Sequence, residues 1–90
     1  MVNLELYSWI ARGSQRTAVM KALIRPMTPT QAYKKAKEKN GKITLNSTSA
    51  VLRAFVREGL ASCVNVEEKT GRIYELTQSG TEIQTEIMKI

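Results

Sequence analysis

The sequence predicts a small α+β domain that is mostly α, with three core helices, then a β-hairpin, and a flanking helix at each end. Three observations carry this prediction. Between residues 14 and 60, apolar residues recur at spacings of three and four, in segments bounded by capping and helix-breaking residues. Between residues 62 and 77, strand-forming residues surround a turn at Lys69–Gly71. Residues 1–12 and 78–90 return to helical spacing.

The composition is typical of one globular domain covering residues 1–90, because 42% of the residues are hydrophobic and 24% are charged. No apolar run reaches membrane-spanning length and the N-terminus has no signal-peptide pattern, so we expect a cytoplasmic protein without a membrane partner. Histidine and aspartate are absent, and Cys63 is the only cysteine. This excludes a disulfide within the chain, a zinc site of the usual kind and histidine-based catalysis. We therefore expect no enzymatic activity, no cofactor and no metal.

Positive charge is concentrated in the first half of the chain. The formal net charge is +6; the first 43 residues carry nine Lys or Arg against two Glu, whereas the remainder carries five against six. A basic excess on a small domain favours an anionic partner, of which nucleic acid is the commonest. The alternative is a surface that only keeps the protein soluble.

The first core helix is predicted from Gln15 to about Arg25, because Ser14 is a plausible N-cap and Pro26 stops a helix. Its expected buried face consists of Val19, Met20, Leu23 and Ile24.

The second core helix is predicted from its capping box, in which Thr28 is the N-cap, Pro29 takes the first helical position and Gln31 completes the box. It should run to about Lys39 and end at Gly41 in a left-handed cap. Small residues on its inner face would let a neighbouring helix approach closely; that face consists of Ala32, Tyr33 and Ala36.

The stretch 44–59 is predicted to be an amphipathic helix, capped by Thr44 and closed by Gly59. Its apolar stripe consists of Thr48, Val51, Leu52, Phe55 and Val56. The opposite face carries no acid and no bulky apolar group, and consists of Asn46, Ser49, Ala50, Arg53, Ala54 and Arg57. Such a slim, hydrogen-bonding face suits entry into a DNA major groove. The alternative is an ordinary helix with a solvated outer face. Just before it, Ile43 is a candidate for a single strand pairing.

The hairpin and the last helix follow. Strand residues are expected at Val64, Val66 and Ile73, on either side of the turn. Thr77 should cap the final helix, whose narrow apolar stripe has coiled-coil-like spacing and consists of Gly80, Ile83, Ile87 and Ile90.

Three helices followed by a hairpin form the winged helix-turn-helix arrangement, in which the third core helix enters the major groove and the hairpin, or wing, reaches the flanking backbone. From residue 9 to 83 the sequence resembles winged-helix transcriptional regulators of the MarR/ArsR-like kind, with small archaeal regulators the closest group. The segments that carry the resemblance are GSQRTAVMKAL, MTPTQAYKKAK, ITLNSTSAVLRAFVREGLASCVN and KTGRIYELTQSG. The resemblance implies a sequence-specific regulator that binds double-stranded DNA.

In such families the base-contacting residues lie near the start of the third core helix. Here the matching positions are Asn46, Ser47, Ser49, Ala50 and Arg53. Two features depart from the family pattern. Many relatives carry a long polar residue at the position of Ala50, and the wing tip holds two acids, Glu67 and Glu68, where bases would suit a phosphate backbone.

Phosphate contacts are expected from basic and hydroxyl side chains around the recognition helix. The candidates are Lys34, Lys35, Lys42, Thr44, Arg57, Lys69 and Arg72. For the lysines the alternative is a solvated run, and for Arg57 it is an interaction with the negative end of the helix dipole.

Apolar residues at both chain ends exceed what a three-helix core requires. We interpret them as a homodimer interface, which would also set two recognition helices about 34 Å apart, one turn of DNA. The candidates are Leu6, Tyr7, Trp9, Ile10, Ile83, Ile87 and Ile90. The alternative is that both ends fold back onto their own domain.

A rival function is a winged-helix module that binds other proteins within a larger assembly, because a fold does not determine a function. The acidic wing tip and the near-neutral second half fit this rival. Recognition of single-stranded RNA would require exposed stacking aromatics that the chain does not offer. Cys63 is predicted to pack in a wing strand rather than act as a redox switch.

Overall fold

The computed structural model describes residues 2–90 and has the predicted order of elements. They are α1 (Leu4–Ala11), α2 (Ser14–Ala22), α3 (Pro29–Ala36), α4 (Leu45–Arg57), β1 (Ala61–Cys63), β2 (Tyr74–Leu76) and α5 (Gln78–Ile87). Five helices and one antiparallel hairpin make a mostly helical winged-helix fold, which confirms the predicted fold class.

The core lies where α2, α3 and α4 pack together. Phe55 and Leu52 of α4 and Met20 of α2 are fully buried in it. Ala32 and Ala36, also fully buried, form the face of α3 and allow the close helix approach that the sequence predicts. The predicted stripe of α4 is buried except for Val56, which is 38% exposed.

The boundaries of α2 differ from the prediction at both ends. Gly13 is the N-cap, without a side-chain bond, and Ser14 is already helical. The helix ends at Ala22 rather than Arg25, which leaves Ile24 exposed instead of buried. At this end Gln84 of α5 donates from Nε2 to the carbonyl oxygens of Met20 and Leu23, at 2.8 and 2.9 Å. A distant side chain thus supplies a donor to carbonyl oxygens at the C-terminal end of the helix.

The helix α3 has the predicted capping box, in which Thr28 and Gln31 bond each other's backbone amides. It ends at Ala36, and residues 37–39 form a turn. Gly41 does not take the expected left-handed conformation; the glycines with positive φ among the described residues are Gly59 and Gly71.

The sheet is shorter than predicted. Its register pairs Ala61 with Leu76, Ser62 with Glu75 and Cys63 with Tyr74. Val64 and Val66 lie beyond the strands and are 54% and 65% exposed.

The single extra strand pairing involves Met27 and not Ile43. The Met27 and Tyr74 backbones exchange two hydrogen bonds, of 2.9 and 2.7 Å. Ile43 is instead a core side chain, 3% exposed.

The turn after α4 joins this helix to the wing and to α5. Gly59 has φ +77°, and the amides of Gly59 and Leu60 donate to Val56 and Phe55, the paired bonds of a Schellman motif. Thr77, the confirmed N-cap of α5, donates from its amide to Leu60 O and from its hydroxyl to Gly59 O.

Both chain ends fold back onto the domain, which corrects part of the predicted dimer interface. Ile10, Ile83 and Ile87 are at most 1% exposed inside the chain's own core. The candidates Leu6, Tyr7 and Trp9 are half-buried against that core, whereas Ile90 is 66% exposed. The Trp9 and Phe55 rings pack edge-on, with 6.0 Å between their centroids. The Arg16 guanidinium carbon lies 4.9 Å from the centroid of the Trp9 ring.

Gly80→Ala should destabilise the protein by about 2 kcal/mol, because a Cβ there would overlap the carbonyl oxygen of Leu60, a backbone atom that cannot rotate away. Urea unfolding monitored by circular dichroism measures the change. Gly41→Ala is the matched control, since a Cβ at Gly41 meets nothing within 4 Å. Equal unfolding midpoints for the two variants would contradict the close contact.

Candidate nucleic-acid interface

The helix α4, which the sequence predicts to be the recognition helix, begins at a capping box that uses two hydroxyl groups. Thr44 accepts from the Ser47 amide at 3.1 Å, and Ser47 Oγ accepts from the Thr44 amide at 3.0 Å. The two hydroxyls also lie 3.0 Å apart. Both residues are predicted DNA contacts. Their hydroxyls already hold the helix start together, so their first role in the structure is to position α4.

The outward face of α4 is open to solvent. Asn46, Ala50 and Arg53 are exposed, and Ser49 is half-buried. Arg53 has no hydrogen bond or ion pair within residues 2–90. Its guanidinium is therefore available, with five N–H donors, to a ligand that approaches this face. The structure thus brings four of the five base-edge candidates to one accessible surface.

A groove lies between α4, the start of α3 and the wing, with a volume of about 540 Å³. Ser49 and Arg53 line one side, and the wing supplies Lys69 and Arg72 on the other. The lining contains no acidic residue; its other members are Thr28, Pro29, Thr30, Leu45, Thr70, Gly71 and Tyr74. Two predicted wing contacts and two predicted helix contacts therefore share one basic groove, which we call the α4–wing groove.

Beyond the three paired residues of each strand, side chains help to hold the wing loop. Asn65 accepts from the Ile73 amide at 2.7 Å and donates to Gly71 O at 3.2 Å. Arg72 donates from Nε to Glu68 O at 2.7 Å. Because the Arg72 guanidinium also bonds its own loop, it shapes the wing as well as adding charge to the groove.

Sequence reasoning missed Asn65. An asparagine between two strand segments is a signal for a side chain that bonds nearby backbone. Neither its acceptor role toward Ile73 nor its link to Gly71 follows from that signal, since both depend on how the loop closes.

The remaining phosphate candidates lie outside the groove lining. Lys34 and Lys42 are exposed and Lys35 is half-buried. Arg57 lies 3.6 Å from Glu58 across exposed side chains, so this acid offsets part of its charge. Lys37, in contrast, donates to the Tyr33 hydroxyl at 3.2 Å.

Within residues 2–90 there is no group of three His, Cys, Asp or Glu side chains that would hold a metal ion. None of the helices in that range has the length and apolar content to cross a membrane. Cys63 lies at the end of β1, half-buried, with its thiol 3.5 Å from Asn65 Oδ1.

Comparison with known proteins adds a structural match. No protein-family model matches the chain, and no curated protein matches it in sequence. Among solved structures, wild-type MarR from E. coli in its apo form aligns with a TM-score of 0.55 and 18% identity, over 99% of this chain and 76% of that chain. The chain therefore has a MarR-like winged-helix fold. The archaeal and ArsR-like parts of the resemblance have no counterpart in these comparisons.

Asn65→Ala should loosen the wing, because the Ile73 amide loses its acceptor and Gly71 loses a donor. We expect faster hydrogen exchange at the Ile73 amide and a loss of about 1 kcal/mol in unfolding free energy. Asn46→Ala is the control, since Asn46 is exposed on α4 and has no hydrogen bond in the described part of the chain. An unchanged exchange rate at Ile73 in Asn65→Ala would show that Asn65 does not hold the wing.

Proposed function

We propose that this protein is a transcriptional regulator that binds double-stranded DNA at specific sequences, with α4 in the major groove. One observation carries the proposal: the α4–wing groove places the unpaired Arg53 opposite Lys69 and Arg72, with no acid in its lining. A slim exposed helix face beside two wing cations, Lys69 and Arg72, matches what a recognition helix requires of its surroundings.

In this proposal base edges are read from the exposed face of α4. Arg53 bonds a guanine edge, while Asn46 and Ser49 bond neighbouring bases and Ala50 allows close approach. Ser47 and Thr44 hold the helix start and offer their exposed sides to phosphate. The phosphate contacts, which orient the protein without reading sequence, are Lys34, Lys35, Lys42, Arg57, Lys69 and Arg72.

We also propose that the protein binds DNA as a homodimer in the cytoplasm, without a catalytic role, a cofactor or a metal. The apolar surface still available at the chain ends supports the dimer: Ile90 is exposed, and Leu6, Tyr7 and Trp9 are only half-buried. Two-fold symmetry would place the two copies of α4 in successive major grooves.

Selection from a pool of random duplexes at moderate salt tests the function. We expect an enriched palindrome whose half-sites are centred about 34 Å apart, one turn of DNA. Enrichment of a single, unrepeated half-site would keep the DNA-binding function and contradict the dimer.

A protein-interaction module is the second candidate, and the wing supports it. Val64 and Val66 are exposed beside two acids, Glu67 and Glu68, a surface better suited to protein than to phosphate. Failure to retain any duplex, together with stable co-purification of one protein partner, would favour this candidate over the regulator.

Arg53→Ala should weaken binding to the selected duplex by roughly 5- to 150-fold, because a base contact of this kind contributes about 1–3 kcal/mol. Binding to random DNA should change far less. Lys69→Ala should instead weaken binding to the selected duplex and to random DNA by a similar factor. It should also lower the slope of log affinity against log salt concentration by about 1, as expected for a phosphate contact. Fluorescence anisotropy over a range of salt concentrations measures both effects.

Lys89→Ala serves as the charge control, since Lys89 lies beyond α5 and pairs with Glu86 at 3.1 Å. It should leave both affinities unchanged. If Arg53→Ala weakened selected and random DNA equally, Arg53 would be a phosphate contact and would not read a base.

A further inference from the structure

Leu45 occupies an unusual position on the recognition helix. It is the first residue of α4 and is 43% exposed, whereas Leu52 and Phe55 of the same helix are fully buried. The helical spacing places Leu45, Ser49 and Arg53 on successive turns of one face, and all three line the α4–wing groove. A large, partly exposed apolar side chain thus stands in the same groove as three cations, Arg53, Lys69 and Arg72.

The residues that line the groove favour a ligand with two properties. Arg53, Lys69 and Arg72 favour a negatively charged occupant. Leu45 offers that occupant an apolar contact that water cannot replace. A polymer that carries negative charge along its backbone and an apolar group on the edge that faces α4 has both properties.

Double-stranded DNA has one such group in its major groove. The C5-methyl of thymine is the apolar feature by which A·T pairs differ there from G·C pairs. The first turn of a recognition helix is also the part that reaches base edges. The neighbouring residues Asn46 and Ala50 are exposed and small enough to let the helix come that close.

We propose that Leu45 packs against the C5-methyl group of a thymine and makes the protein prefer thymine at one step of each half-site. This assignment rests on the proposed function and names a specificity residue within it. Leu45 reads the base by apolar contact, while Arg53 reads its own base by hydrogen bonds two turns along the same face. The same leucine discriminates against cytosine, which lacks the methyl group.

The probe is the duplex enriched from the random pool, with each thymine in turn replaced by uracil, which removes only the methyl group. One thymine per half-site should matter, and its replacement should weaken binding roughly fourfold, the value of one buried methyl group. Leu45→Ala should bind the thymine duplex more weakly and show no difference between thymine and uracil at that position. Leu45→Met, which keeps an apolar side chain, should retain most of the difference.

Val56→Ala is the matched control, because Val56 is an exposed apolar residue of α4 that does not line the groove. It should keep the full thymine preference. Three results would contradict the role of Leu45 and leave the proposed DNA-binding function intact. They are a selected site without thymine, binding that no uracil replacement changes, or a full uracil effect that persists in Leu45→Ala. If the wild-type protein retains no duplex from the pool, the proposed function falls and this inference falls with it.

Discussion

The structure depends on one close contact, between the Leu60 carbonyl and the start of α5. That oxygen accepts a hydrogen bond from the Thr77 amide at 3.0 Å. Gly80 lies so close to the same oxygen that a Cβ at position 80 would overlap it. The left-handed turn at Gly59 delivers Leu60 to this position. The helices α4 and α5 and the wing meet at this point, so a shift here would move all three.

The same contact sets the direction of the wing. The strand β1 starts directly after Leu60, and β2 ends directly before Thr77, so the turn after α4 also anchors the base of the hairpin. Because the strands are only three residues long, the rest of the wing is held by two backbone bonds, from Val64 to Ile73 and from Glu68 to Asn65, and by the Asn65 and Arg72 side chains. Local side chains therefore supply rigidity that a longer ladder of backbone bonds would otherwise provide.

Two cations of the α4–wing groove, Arg72 and Arg53, differ in their contacts within the protein. Arg72 donates to loop carbonyls and builds the wing. Arg53 has no partner among the described residues and projects from the rigid helix α4. A side chain on a buried, capped helix is positioned more accurately than one on a loop, which under the proposed function favours Arg53 as the base contact and Lys69 and Arg72 as phosphate contacts.

The sequence by itself determined the order of elements and the starts of three helices. Thr28, Thr44 and Thr77 cap as predicted because a cap depends on residues within one turn. The helical period likewise predicted the stripe of α4 up to Phe55. Only the tertiary structure decided which distant groups meet: Met27 with Tyr74, Gln84 with the end of α2, and Ile10 and Ile87 with the core. These choices depend on how the five helices are placed in space, because local spacing shows that a side chain seeks burial but does not show which surface will cover it.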